Sequence, residues 1–148
     1  MKRRQTILLA EDDDDAVLLL KMACARSRLV NPMNVVSDGQ NAIGYLSGEG
    51  VYADRGKFPL PALLLLDLKM PRKNGFEVLS WIRSNTAVNR LPVVVLTSSR
   101  DAIDIDRAYD LGANSYAVKP TAFDGLIDLL NRLEGWWIGV SECPMLEK

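Results

Sequence analysis

The stretch Leu63-Leu64-Leu65-Leu66-Asp67 decides the fold: four aliphatic residues in a row stop abruptly at a carboxylate. A second run, Ile7-Leu8-Leu9-Ala10, ends in Glu11 and Asp12 in the same manner. An apolar run this short, continuous rather than alternating, reads as a parallel strand covered on both faces, its carboxyl end opening into a crevice. Two such strands side by side would aim three carboxylates into one pocket. Acids so placed repel one another unless a cation offsets them. The crevice is therefore a candidate divalent-cation site, and Lys119, which follows Tyr116-Ala117-Val118, is a candidate counter-charge.

Five segments rich in Val, Leu and Ile read as strands: Thr6 to Ala10, Asn34 to Ser37, Ala62 to Asp67, Pro92 to Thr97 and Ser115 to Val118. Amphipathic segments alternate with them, from about Asp15 to Arg28, Gly39 to Leu46, Gly75 to Ser84, Asp101 to Leu111 and Ala122 to Leu133. Asp101 ahead of the fourth, with Gly112 just beyond it, predicts a capped helix, and Thr121 predicts an N-cap for the last. Strands separated by single helices imply parallel pairing with right-handed crossovers. The expected fold is a three-layer, doubly wound α/β domain with a five-stranded parallel sheet and its ligand site at the carboxyl ends of the strands.

Two segments exceed this plan. Ser47 to Pro61 carries three glycines and two prolines, which predicts a long loop before the third strand. A binding element and a tolerated surface insertion are both consistent with it. After Leu133 come Trp136, Trp137, Ile138 and Val140, more apolar residues than one core-facing stripe requires. They form either a partner surface or a tail folded back over its own core.

Composition narrows the function. The 148 residues suit one domain, and 18 basic against 19 acidic residues give a net charge of -1, with no polycation to attract nucleic acid. Met1-Lys2-Arg3-Arg4 is basic, but neither a signal-peptide core nor a run of ~20 apolar residues follows it. The expectation is a cytoplasmic protein with no membrane partner. Cys24 and Cys143 lack metal-ligand spacing and the chain has no His, which disfavours zinc, disulfides and any Ser-His or Cys-His catalytic pair.

In the run Glu11-Asp12-Asp13-Asp14-Asp15, the last three acids stand where a helix N-terminus favours them, while Glu11 and Asp12 abut the strand and are the candidate ligands. Carboxylates, a carbonyl and waters suit Mg²⁺. A carboxylate beside Mg²⁺ can accept a phosphoryl group, with a Lys ammonium neutralising the transferring oxygens. Thr97, at the end of the fourth strand, adds a hydroxyl.

Taken in order, Glu11-Asp12, Asp67-Leu68-Lys69-Met70-Pro71, Asn74-Gly75, Thr97-Ser98 and Lys119-Pro120 resemble the receiver domain of two-component response regulators, over about Thr6 to Leu133. The resemblance implies a flavodoxin-like sheet of order 2-1-3-4-5. It makes Asp67 the phosphoacceptor, Glu11 and Asp12 the acidic pair, and Asp12, Asp67 and the Lys69 carbonyl the Mg²⁺ ligands. Lys119 becomes the phosphate partner, Thr97 the switch hydroxyl and Tyr116 the aromatic group coupled to it. Lys69 and Ser99 fall at variable positions that tune dephosphorylation, and a cis bond before Pro120 is implied. With about residues 6-133 as core and 134-148 as an extension, the expected protein is a single stand-alone receiver. Its long loop and aromatic tail look like those of single-domain regulators paired with bacteriophytochrome histidine kinases. Such a protein takes its phosphoryl group from a sensor histidine kinase, dimerises through its last helices and extension, and is no enzyme beyond its own phosphorylation and slow autodephosphorylation. A Mg²⁺-dependent phosphohydrolase is the alternative, but Leu68 and Lys69 stand where it would need a second acid. A phosphorylation-independent interaction module is the other.

Overall fold

The computed structural model describes residues 5–139 and 141–146; the basic Met1 to Arg4 and Val140 lie outside the described residues. Five parallel strands, β1 (Ile7–Ala10), β2 (Met33–Val36), β3 (Leu63–Leu66), β4 (Val93–Thr97) and β5 (Ser115–Val118), form one sheet of order β2-β1-β3-β4-β5. Helices α1 (Asp14–Arg26), α2 (Gly39–Ser47), α3 (Gly75–Ser84), α4 (Ala102–Asp110) and α5 (Phe123–Leu133) connect them. The expected flavodoxin-like order is the observed one.

Alternation along the strands builds two cores. Leu8, Ala10, Leu64, Leu66, Val93 and Val95 face α2, α3 and α4, while Ile7, Leu9, Leu63, Leu65 and Val94 face α1 and α5. Both faces being covered is why β1 and β3 are aliphatic without interruption. Ala10 lies in register with Leu66, so the residues that follow, Glu11 and Asp67, emerge side by side. From β1 the chain turns outward to β2, and β3 is added on the other side. The acids therefore leave the sheet at the point where the winding reverses, where open α/β sheets form their crevice.

Local chemistry fixes the helix starts. Asp13 caps α1 by accepting from the Asp15 and Ala16 amides, Asp38 caps α2 through the Asn41 amide, and Asn74 with Glu77 forms a reciprocal capping box on α3. Two expected caps differ. The Asp101 side chain makes no cap bond; the Ser99 hydroxyl accepts from the Asp101 amide instead. Helix α5 begins at Phe123 with Ala122 as its uncapped boundary residue, so Thr121 lies outside the helix.

The segment before β3 is an ordered insertion. A 3₁₀ turn spans Gly50–Ala53, Tyr45, Tyr52 and Phe58 pack ring against ring at 5.1–5.9 Å, and Arg55 donates to the Tyr45, Leu46 and Phe58 carbonyls. Beyond α5, a π-helical turn over Glu134–Ile138 continues the helix. Ile138 is buried and Trp137 packs on the α1/α5 core, whereas Trp136 is 58% exposed. Leu146 then reaches the opposite core. The tail thus folds largely over its own domain, with one indole left outside.

Candidate phosphoacceptor site

Asp67 is held by three elements. Its amide donates to the Ala10 carbonyl, continuing the β1–β3 ladder one residue past the strands. Its Oδ1 accepts from the Thr97 hydroxyl at 2.9 Å and from the Lys69 amide at 3.3 Å, and its Oδ2 lies 3.1 Å from the Lys119 ammonium. Lys119 also bonds Glu11, whose other oxygen accepts from the Asp13 amide. Asp67, Glu11 and Thr97 are buried and Asp12 is exposed, so the cluster is closed below and open to solvent on one side.

Backbone fit makes this approach possible. A Cβ on Gly75 would come within 2.4 Å of the Asp67 carbonyl oxygen, so only glycine lets the start of α3 lie against the phosphoacceptor strand. A Cβ on Gly39 would sit 1.9 Å from the Lys73 carbonyl oxygen, which shows how tightly the β3–α3 loop rests on the start of α2. In that loop Arg72 adopts a left-handed φ of 66° and pairs with Asp38. Neither contact was legible from the motifs.

The electrostatics are unbalanced toward negative charge. Burial pushes the Glu11 carboxyl up from its ordinary value and the neighbouring Asp67 adds to this, more than the Lys119 bond lowers it. Burial acts to lower the Lys119 ammonium, but the bond to Glu11 and the charge of Asp67 overcome it and leave it raised. Both shifts report one cation shared by two buried acids. Ligand oxygens of Glu11, Asp12 and Asp67 lie within 4.8 Å of one another. Three carboxylates against one ammonium leave two formal negative charges on hard oxygen donors, which fits a divalent hard cation.

Beside this cluster a separate set of hydrogen bonds joins β5, the β4–α4 loop and α4. The Tyr116 hydroxyl donates to the Ser99 carbonyl at 3.0 Å, and the Ser99 hydroxyl donates to Asp104 at 2.6 Å. Burial, reinforced by Asp104, Asp101 and Asp67, raises the Tyr116 phenol. The link through Ser99 and Asp104 was missed in the sequence, where Ser99 drew attention only as a variable position. The Lys119–Pro120 bond is trans, contrary to the implied cis form: there is no cis peptide among the described residues. Lys119 is placed by the β5 ladder, its amide donating to the Thr97 carbonyl at 2.8 Å, and reaches both acids without that turn.

Residues 7–131 match the family model of the response regulator receiver domain. The chain belongs to that family. In sequence the receiver is 33% identical to the response regulator Rcp1 of Synechocystis over 138 residues, 86% of this chain and 92% of Rcp1. In structure it is similar to the phosphorylated cyanobacterial phytochrome response regulator RcpA, with TM-score 0.87 and 36% identity over 96% of this chain and 99% of RcpA. RPA3017, a response regulator in red light signaling of R. palustris, aligns with TM-score 0.90 and 36% identity over 95% and 99% of the two chains. Rcp1 has also been solved in a Mn²⁺-bound form. This receiver is thus homologous to stand-alone phytochrome response regulators of two-component systems, and receivers are signalling proteins rather than classical enzymes. Among the described residues no helix is long and apolar enough to cross a membrane.

Proposed function

We propose that Asp67 accepts a phosphoryl group from a phosphohistidine on a sensor histidine kinase of the bacteriophytochrome type. The observation that carries this reading is the Asp67 carboxylate itself, buried yet opening on the acidic crevice and held by Thr97 from β4 and Lys119 after β5. A carboxylate oxygen bonds to phosphorus as the P–N bond breaks, and the departing histidine nitrogen keeps the electron pair and takes up a proton. Glu11, Asp12, Asp67 and the Lys69 carbonyl would hold Mg²⁺, which when bound supplies positive charge to the phosphoryl oxygens. Lys119 then exchanges its carboxylate partners for phosphoryl oxygen, and Thr97 donates its hydroxyl to the same group. Water later hydrolyses the acyl phosphate slowly. Lys69, exposed beside the crevice, bears on that rate more than Ser99, whose hydroxyl is engaged with Asp104.

Signal output follows from Thr97 and Tyr116, which share the β4–α4 segment through Ser99. Phosphorylation shifts a two-state equilibrium of the face made by α4, β5 and α5. The protein acts in the cytoplasm as a single receiver, core 6-133 with extension 134-148. It signals by protein contact rather than through nucleic acid, and dimerises through its last helices and extension. The exposed Trp136 supports the self-association. Sedimentation with and without a phosphate mimic tests it: a monomer in both states at high concentration removes the dimer. For the phosphoacceptor, incubation with phosphoramidate and Mg²⁺ should label the wild type and leave Asp67→Asn unlabelled. Equal labelling of a folded Asp67→Asn protein would end the assignment.

A further inference from the structure

Among the described residues, Arg72 in the loop between β3 and α3 is the one non-glycine with a left-handed φ, at 66°. Across it the Lys73 amide donates to the Pro71 carbonyl at 2.8 Å, closing a three-residue turn. With a positive φ at its centre this is the rare, strained form of the γ-turn, which an Arg side chain enters only against a steric cost. Glycine would enter it freely. Some interaction of the Arg side chain must therefore hold it there.

The Arg72 guanidinium lies 3.0 Å from Asp38 Oδ2. Asp38 is a fixed anchor: it is buried, its Oδ1 caps α2 by accepting from the Asn41 amide at 2.7 Å, and its Oδ2 also accepts from the Asn41 side chain. Next to it, the Lys73 carbonyl rests on Gly39 with no room for a Cβ. One ion pair and one close backbone contact thus tie the loop to the start of α2. The same loop carries the Lys69 carbonyl. It is bounded by the Lys69 amide, which donates to Asp67 at 3.3 Å, and by the Gly75 amide, which donates to the Leu68 carbonyl at 2.9 Å. The carboxylates of Glu11, Asp12 and Asp67 can turn about their own bonds toward an ion. A carbonyl has no such freedom and points where the backbone puts it.

We propose that Arg72 is a positioning residue for the metal: its pair with Asp38 holds the strained turn, and the turn keeps the Lys69 carbonyl on the crevice. The proposal rests on the Mg²⁺ reading above. Without the pair, the loop relaxes to a negative φ, and an ion that needs the carbonyl must first restore the turn, which weakens its apparent affinity. Charge alone predicts the opposite sign, since removing a cation near an acidic site tightens the hold on a divalent ion.

Mn²⁺ serves as the probe, its free concentration read by electron paramagnetic resonance, for wild type, Arg72→Gln, Arg72→Gly and Asp38→Asn, each checked for folding by urea denaturation. Arg72→Gln should bind Mn²⁺ about fivefold more weakly, the cost of returning a side chain to the left-handed region. Arg72→Gly takes positive and negative φ about equally and should lose no more than about twofold. Asp38→Asn keeps a good N-cap for α2 and should match Arg72→Gln, yet add little in the Arg72→Gly background. Phosphoramidate labelling of Arg72→Gln should need about fivefold more Mg²⁺ for half its maximal rate and reach the wild-type rate at saturation. An affinity unchanged or raised in Arg72→Gln overturns the proposal. So does an Arg72→Gly protein as weak as Arg72→Gln, because relief of the strained turn would then be irrelevant. A wild type that binds no Mn²⁺ removes the metal reading and this proposal with it, whereas wild-type binding that every variant reproduces sinks the proposal alone.

Discussion

At the amino end of the sheet, Arg83 donates to the carbonyls of Asn89, Leu91 and Gly112 and to the Asn114 side chain, at 2.8–3.0 Å. Arg55 does the same for Tyr45, Leu46 and Phe58. At the carboxyl end, Lys119 meets only the side chains of Glu11 and Asp67. The first arrangement pairs a cation with fixed backbone dipoles, the second with groups that can exchange partners. A phosphoryl group or metal entering the crevice can replace one of those partners without unfolding anything. No ligand can replace a backbone carbonyl at the other end. Charge satisfied by backbone holds the fold, and charge satisfied by charge is available for chemistry.

The contrast is broken most severely at Arg83. Burial lowers its ordinarily very high pKa, a sign of how far it is withdrawn from water. Arg83→Met keeps volume but strands the Asn89, Leu91 and Gly112 carbonyls, while Asn114 Oδ1 keeps the Val93 amide, so unfolding free energy should fall by about 2–3 kcal/mol in urea denaturation. Labelling of Asp67 by phosphoramidate should persist in the folded fraction. If labelling fails while stability holds, the two ends are coupled and the separation drawn here is wrong.

A smaller effect is expected at the acidic end, and its sign depends on pH. Glu11 has a folded pKa raised above its ordinary 4.5, so its contribution to stability is complete below that value and lost as pH rises through the folded one. In chelator, wild type should therefore lose stability relative to Glu11→Gln as pH rises above 4.5. Adding Mg²⁺ at pH 7 should restore it, by about 2.7 kcal/mol at a hundredfold excess over the dissociation constant. A difference between the two proteins that stays flat with pH would show that Lys119 already balances the acids.

The legibility of these features in the sequence follows the same division. The strands and the acids were readable because each is local: an apolar run ending in a carboxylate carries its own meaning, whereas the sheet order, set by long-range pairing, came only from the family resemblance. Lys119 and Thr97 were readable because they too sit at strand ends. The Arg83 and Arg55 staples were not, since all but one of their acceptors, the Asn114 side chain, are backbone atoms that any residue would supply. The Ser99–Asp104 bond and the Arg72–Asp38 pair were hidden because they join elements through single side chains with no periodic signature. The tail was left open between two readings, and burial of Ile138 beside exposure of Trp136 shows why: neighbouring apolar residues divide between core and surface by their direction on a π-helical turn. The expected Thr121 cap failed because one hydroxyl near a helix start does not specify which residue the helix begins on.

The mildest case is Arg132 with Asp128 on α5, an i,i+4 pair at 3.0 Å whose side chains are 80% and 63% exposed. It pairs charge with charge, as Lys119 does, but in water. High dielectric and the entropy of holding two long side chains offset most of the attraction. Arg132→Gln should change unfolding free energy by less than about 0.5 kcal/mol and leave phosphoramidate labelling unaltered. A loss above about 1 kcal/mol in urea denaturation would mean that pairing alone, without burial, confers importance on a charge in this receiver. The distinction between fixed and exchangeable partners would then have to be replaced by a simple count of ion pairs.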